Sequence, residues 1–201
     1  MDYFKFAIEK AINAGKLCGA YHYADGRGAI AEADYFVSVV KPYLGKIMLA
    51  LDWETGKTAG SKNYAWGSTT YAKQFMDRVY EKTGVRCMLY TGMEGISQCK
   101  NCYPTYKLWF AGYPNLNDSW TPPAFPSRYK TSPWPKYDIW QYTNSNSKLD
   151  RNTTNLTKSD WNNLIKSSIS KTTTNTTKGS ETKVSINFNN YYNKISNSGH
   201  D

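Results

Sequence analysis

Apolar residues recur at three- and four-residue steps at the start of the chain, where Phe4, Ala7, Ile8, Ala11 and Ile12 form one stripe and Gly15 follows as a stop. That period predicts an amphipathic helix. The next run, Leu17 to Tyr23, is short and strand-like. The pattern then repeats, with a helical stretch from Ala29 to Val40, an apolar strand Ile47-Met48-Leu49-Ala50-Leu51, a helix from Tyr71 to Thr83 backed by Gly84, and a strand from Val85 to Tyr90. Alternating helices and strands predict a parallel sheet in an α/β fold. A chain that opens on a helix feeding a strand begins midway through a βαβ unit, so a first strand is expected ahead of Met1.

Two later apolar runs, Leu108-Trp109-Phe110-Ala111 and Ile139-Trp140-Gln141-Tyr142, read as strands. Between them stand Pro114, Pro122, Pro123, Pro126, Pro133 and Pro135, which no regular helix accommodates. A short helix from Asp160 to Ile165 is expected to close the domain. The organisation predicted is therefore a domain over residues 1–165, a Ser, Thr, Asn and Lys-rich linker over 166–183, and the start or remnant of a further module over 184–201. The linker composition buries too little apolar surface to offset its ordering entropy, so a flexible tail is expected.

A length of 201 residues allows one domain of ordinary size and a tail. The net charge of +9 favours polyanions through a long-range attraction that salt weakens. Nucleic-acid readers gather their basic residues into a patch or helix, whereas here Lys and Arg are scattered, so no nucleic-acid partner is expected. An anionic cell wall or simple solubility accounts for the charge equally well. Of the cysteines, Cys99 and Cys102 have a ligand-like spacing, but no second pair or nearby histidine completes a zinc site, and Cys18 and Cys87 read as small buried hydrophobes. The N-terminal segment lacks a secretory signal, and no stretch approaches the roughly twenty apolar residues of a membrane span.

The segment richest in chemistry is Leu51-Asp52-Trp53-Glu54-Thr55-Gly56, which ends an apolar strand with carboxylates at i and i+2. Side chains two apart on a strand share a face, and the C-terminal end of a parallel strand is where such folds place their sites. Two carboxyls held together titrate apart, so one keeps a proton as a general acid while the other is an anion, as glycoside hydrolysis requires. Trp53 points to the opposite face and is expected to pack. Asp150, in Lys148-Leu149-Asp150-Arg151-Asn152, reads by itself as a turn aspartate. His22 reads as a hydrogen-bonded strand residue, since no Ser/His/Asp or Cys/His arrangement surrounds it.

Several segments in order resemble glycoside hydrolase family 25, the muramidases of many bacteriophages and bacteria. They are Gly19-Ala20-Tyr21-His22-Tyr23-Ala24, Ala33-Asp34-Tyr35-Phe36, Leu51-Asp52-Trp53-Glu54, Leu89-Tyr90-Thr91, Leu108-Trp109-Phe110-Ala111-Gly112-Tyr113, Ile139-Trp140-Gln141-Tyr142-Thr143 and Leu149-Asp150-Arg151-Asn152. The resemblance implies an irregular TIM-like β/α barrel that hydrolyses the β-1,4 bond between N-acetylmuramic acid and N-acetylglucosamine, with no metal or other cofactor. It implies Glu54 as general acid, Asp52 as the carboxylate that stabilises the reacting centre or positions the substrate's acetamido group, and Asp150 as a supporting acid. It also implies Tyr21, Tyr90, Trp109, Tyr113 and Trp140 as residues lining the glycan cleft. Aromatic faces pack on sugar rings, although for Trp140 core packing is an equal alternative.

Family members begin with a strand carrying a further aspartate, and a second strand follows before the first helix seen here; neither is matched. The expectation is thus a barrel truncated at its N-terminus, whether as a shortened gene product, a fragment or a chain completed by another. A catalytically impaired peptidoglycan-binding remnant is the rival reading. The resemblance also implies action at the bacterial cell wall after release from the cytoplasm as a phage or prophage lysin, with a wall-binding module beyond the C-terminus.

Overall fold

Among the described residues six strands pair in the order in which they occur in the chain, β1-β2-β3-β4-β5-β6, and form one curled sheet, a half-barrel. In this computed structural model residues 2–56, 62–114, 120–144 and 150–168 are described. They fall within one compact unit, Met1–Ser170. The expected tail, 184–201, and all but the first residues of the expected linker lie outside the described residues.

Strands β1 (Gly19–Tyr23), β2 (Met48–Asp52), β3 (Met88–Gly92), β4 (Leu108–Ala111) and β5 (Ile139–Thr143) are parallel. The helices α1 (Asp2–Asn13), α2 (Ala29–Val40) and α3 (Tyr71–Thr83) have the positions that their apolar period predicts. Gly84 ends α3 in the left-handed region at φ 67°, and its N–H is donated to the Tyr80 carbonyl, a stop for which glycine is the favoured residue.

Besides a 3-10 turn over Lys41–Tyr43, two features were not predicted. Residues Met93–Ile96 form a short helix, α4, which runs into a 3-10 turn over Ser97–Cys102. Strand β6 (Arg151–Thr154) pairs antiparallel with β5, so the sheet is mixed at that edge. The closing helix α5 (Lys158–Ile165) starts two residues earlier than expected, because Thr157 and Asp160 cap it reciprocally.

Alternation along the strands assigns two different environments. On one face Leu49, Leu51, Trp53, Leu89, Leu108, Phe110 and Trp140 pack against Ala33, Phe36 and Val40 of α2 and Phe75, Met76 and Val79 of α3. On the other face Met48, Ala50, Met88 and Ile139 pack with Trp109 and with Trp161, Leu164 and Ile165 near or on α5. A hollow of about 260 Å³ lies on this second face, toward the strand beginnings, lined among others by Tyr21, Met48, Trp109 and Trp161. Asp52 of β2 stands at the other end of the same face, with Glu54 just beyond the strand. Among the described residues no helix is long and apolar enough to cross a membrane.

Phe75 joins the two helices to the sheet: it is fully buried, stacks on His22 of β1 at 5.1 Å and meets Phe36 of α2 at 5.9 Å. Phe75→Ala is expected to destabilise the fold by about 3–5 kcal/mol, measured by denaturant unfolding.

Candidate active site

Strand β2 is buried along its whole length and delivers Asp52 at its last position, with Glu54 just beyond. The backbone there is fixed from β3. The Trp53 N–H is donated to the Tyr90 carbonyl at 2.9 Å, and the Thr91 hydroxyl is donated to the Trp53 carbonyl at 2.8 Å. Trp53 itself is fully buried on the helix face, as its position between the two acids predicts, between Trp66 and Tyr71. Its indole N–H is donated to Gln98, which also accepts the Gly67 N–H. Gly95 permits this close fit, since a Cβ there would lie 2.1 Å from the Thr91 hydroxyl and 3.0 Å from the Trp53 ring. A wedged Trp53 therefore orients its two neighbours toward the opposite, open face.

On that face the acids are unequal. Asp52 is only 9% exposed, and its Oδ1 has no hydrogen-bond partner among the described residues. Burial, and then the charge of Glu54, push its carboxyl up to about 8. Glu54 is half-buried, and burial followed by the charge of Asp150 raises its carboxyl as well. Burial is thus the main reason that the Asp52 carboxyl is raised, and the charge of Glu54 adds to it. Asp150 is exposed, in the segment that leads into β6.

The charges of all three acids reach Tyr21 and Tyr113. Burial and then Asp52, Asp150 and Glu54 raise Tyr21, while burial and these three acids raise Tyr113 against a lowering hydrogen bond from Tyr90. Tyr21 is 64% exposed on β1. Tyr90 and Tyr113 both donate to Gln141 Oε1, at 2.7 and 2.5 Å, and their hydroxyls are 3.3 Å apart. Trp109 meets Tyr90 edge to face at 5.3 Å, and its indole N–H is donated to Asn152 Oδ1 at 2.8 Å. The structure thus brings Asp52, Glu54, Asp150, Tyr21, Tyr90 and Tyr113 together, with Trp109 beneath.

Trp140 does not join them. It is 1% exposed, packs on the helix face against Phe125, Tyr137 and Tyr142, and its indole N–H is donated to the Gly112 carbonyl. Of its two alternatives the structure selects core packing, because its neighbour Gln141 takes the open face and adjacent strand residues point oppositely. Gln141 was missed, although alternation from Ile139 marks its face. Tyr23 was missed too; its buried hydroxyl has no partner among the described residues, and burial and then the charges of Glu54, Asp52 and Asp25 raise it. His22 is a strand residue as expected, with Nε2 2.8 Å from the buried Glu32. The cysteines are free thiols among the described residues.

Paired carboxylates at the C-terminal end of a parallel strand, both raised by burial and ringed by tyrosines, are the arrangement that glycoside hydrolysis uses. The chain belongs to Glycosyl hydrolases family 25, whose profile matches residues 2–151. Among solved structures it is similar to a muramidase from Acremonium alcalophilum, at 23% identity and a TM-score of 0.60, over 81% of this chain and 79% of that one. It is similar to the same degree, 23% and 0.60, to a bacterial lysozyme from Streptomyces coelicolor, over 82% of this chain and 79% of that one. A family 25 lysozyme from Aspergillus fumigatus matches at 21% identity and a TM-score of 0.60, over 81% and 79% of the two chains. At these identities the likeness is one of fold. No curated relative matches the chain.

The state of Asp52 makes stability depend on pH. The unfolded chain releases this proton above the ordinary value of 3.8, whereas the folded chain keeps it up to about 8, so the folded state binds more protons across that window. The contribution is fully present below about pH 4 and is lost as pH rises toward 8. Thermal unfolding is therefore expected to show a melting temperature that falls from pH 5 to pH 8 in the natural protein and falls less in Asp52→Asn.

Proposed function

We propose that this chain is a peptidoglycan hydrolase, an N-acetylmuramidase cleaving the β-1,4 bond between N-acetylmuramic acid and N-acetylglucosamine. The observation that carries the reading is the pairing of a buried Asp52, whose carboxyl burial pushes up, with the more accessible Glu54 on the open face of a family 25 half-barrel. The structural neighbours described above, a muramidase and two lysozymes, agree with it.

Glu54 is the general acid. It reaches the cleft, and a bound sugar that excludes water raises its carboxyl further, so that it can protonate the leaving oxygen. Asp52 lies deeper, and its burial pushes its carboxyl up to about 8, which favours the neutral form at neutral pH. A neutral carboxyl can hold an acetamido group by hydrogen bonds but offers no full charge to a cationic transition state. Of the two roles open to Asp52, positioning the substrate group is therefore the one the electrostatics favours. Asp150 supports Glu54 by raising its carboxyl. Tyr21, Tyr90 and Tyr113 line the cleft, while Trp109 forms its floor.

The +9 charge assists approach to an anionic bacterial wall, which is the place of action on this reading, with a lytic role of the endolysin kind. The test is release of new reducing ends from purified, peptide-stripped peptidoglycan. Glu54→Gln is expected to lower the rate by about 10²- to 10⁴-fold. Binding of the glycan without release by the natural chain would instead favour a binding module.

A further inference from the structure

The loop that leaves β4 carries Trp120, a tryptophan that is 77% exposed, and its surroundings hold it in place. The guanidinium of Arg151 lies over its ring at 4.1 Å, and Arg151 is itself only 9% exposed. The Tyr142 hydroxyl is donated to the Trp120 carbonyl at 3.1 Å. Two residues on, Pro122 and Pro123 restrict the backbone, and Phe125 then anchors the loop in the core against Phe110 and Trp140. One face of the indole is thus covered by a buried cation, and the ring stands exposed on a braced support. Preorganisation of this kind removes the entropy loss that weakens binding to a free surface side chain.

The location matters equally. Tyr142 and Arg151 belong to the C-terminal end of β5 and the start of β6, and Asp150, whose charge acts on Glu54, directly precedes Arg151. Trp120 therefore stands on the same rim as the acids. The nearby carboxylates repel a phosphate backbone, which disfavours a nucleic-acid base as the stacking partner, whereas a neutral pyranose meets no such repulsion. Resting on the muramidase reading, we propose that Trp120, braced by Arg151, is a glycan-binding platform on which a sugar ring of the strand stacks, away from the bond that is cut.

The experiment compares Trp120→Ala and Trp120→Phe with the natural protein on solubilised, peptide-stripped glycan strands of peptidoglycan, with binding measured by calorimetry in the Glu54→Gln background. Trp120→Ala is expected to weaken binding about tenfold, with the loss in turnover carried by KM, and Trp120→Phe to restore most of it. Because the side chain is exposed, its removal leaves the core intact, which matching melting temperatures check. Natural cleavage with unchanged binding and KM in Trp120→Ala would overturn the platform and leave the muramidase reading standing. Neither cleavage nor glycan binding by the natural protein would overturn both. Loss of a single-stranded oligonucleotide's binding in Trp120→Ala, with glycan binding unchanged, would also overturn the platform.

Discussion

The burial of Trp53 is the constraint on which the site depends. A strand that must place this indole among Trp66, Tyr71 and the helices has no freedom to turn either neighbouring acid inward. The hydrogen bonds from Thr91 and to Gln98 fix its depth as well as its facing. The placement of the two acids on the open face is therefore maintained by packing on the closed one. Gln98 extends the same constraint past Glu54, since it also holds the backbone at Gly67.

A carboxyl taken out of water without a hydrogen bond to its anion stays protonated. Asp52, whose Oδ1 has no partner among the described residues, is in that situation, and the nearby Glu54 charge adds to it. The same burial that makes the pair chemically useful lowers stability as pH rises, so function and stability oppose each other at this strand end. By contrast Glu32, buried behind β1, accepts from His22, Tyr71 and the backbone of Gly26 and Arg27. There burial alone would raise the carboxyl, yet these bonds bring it down to about 2. Two buried carboxylates in one fold thus take opposite protonation states because one is satisfied and the other is not.

Around the acids, the aromatic residues divide by the side of the sheet they occupy. Tyr21, Tyr90 and Trp109 alternate onto the open face, while Trp140 alternates away from it. Tyr113 reaches the open face from the loop after β4, where Gln141 ties its hydroxyl to that of Tyr90. Aromatic surface is thereby gathered on the face that carries the carboxylates, and the bulk of the remaining aromatics fills the interface with the helices.

The sequence by itself determined the helices α2 and α3, the parallel strands and the shared face of Asp52 and Glu54, because each follows from a local period of 3.6 or 2 residues. It did not determine β6, whose Arg-Asn-Thr-Thr has no apolar alternation and becomes a strand only by pairing with β5. Nor did it reveal the helical turns over 93–102, which lack a clear stripe. Periodicity says which residues share a face but not which face meets solvent. Whether Trp140 lines the cleft or the core, whether Asp150 is near Glu54, and which acid of the pair keeps the proton were decided by the sheet's curl and by burial, which are properties of residues far apart in the chain.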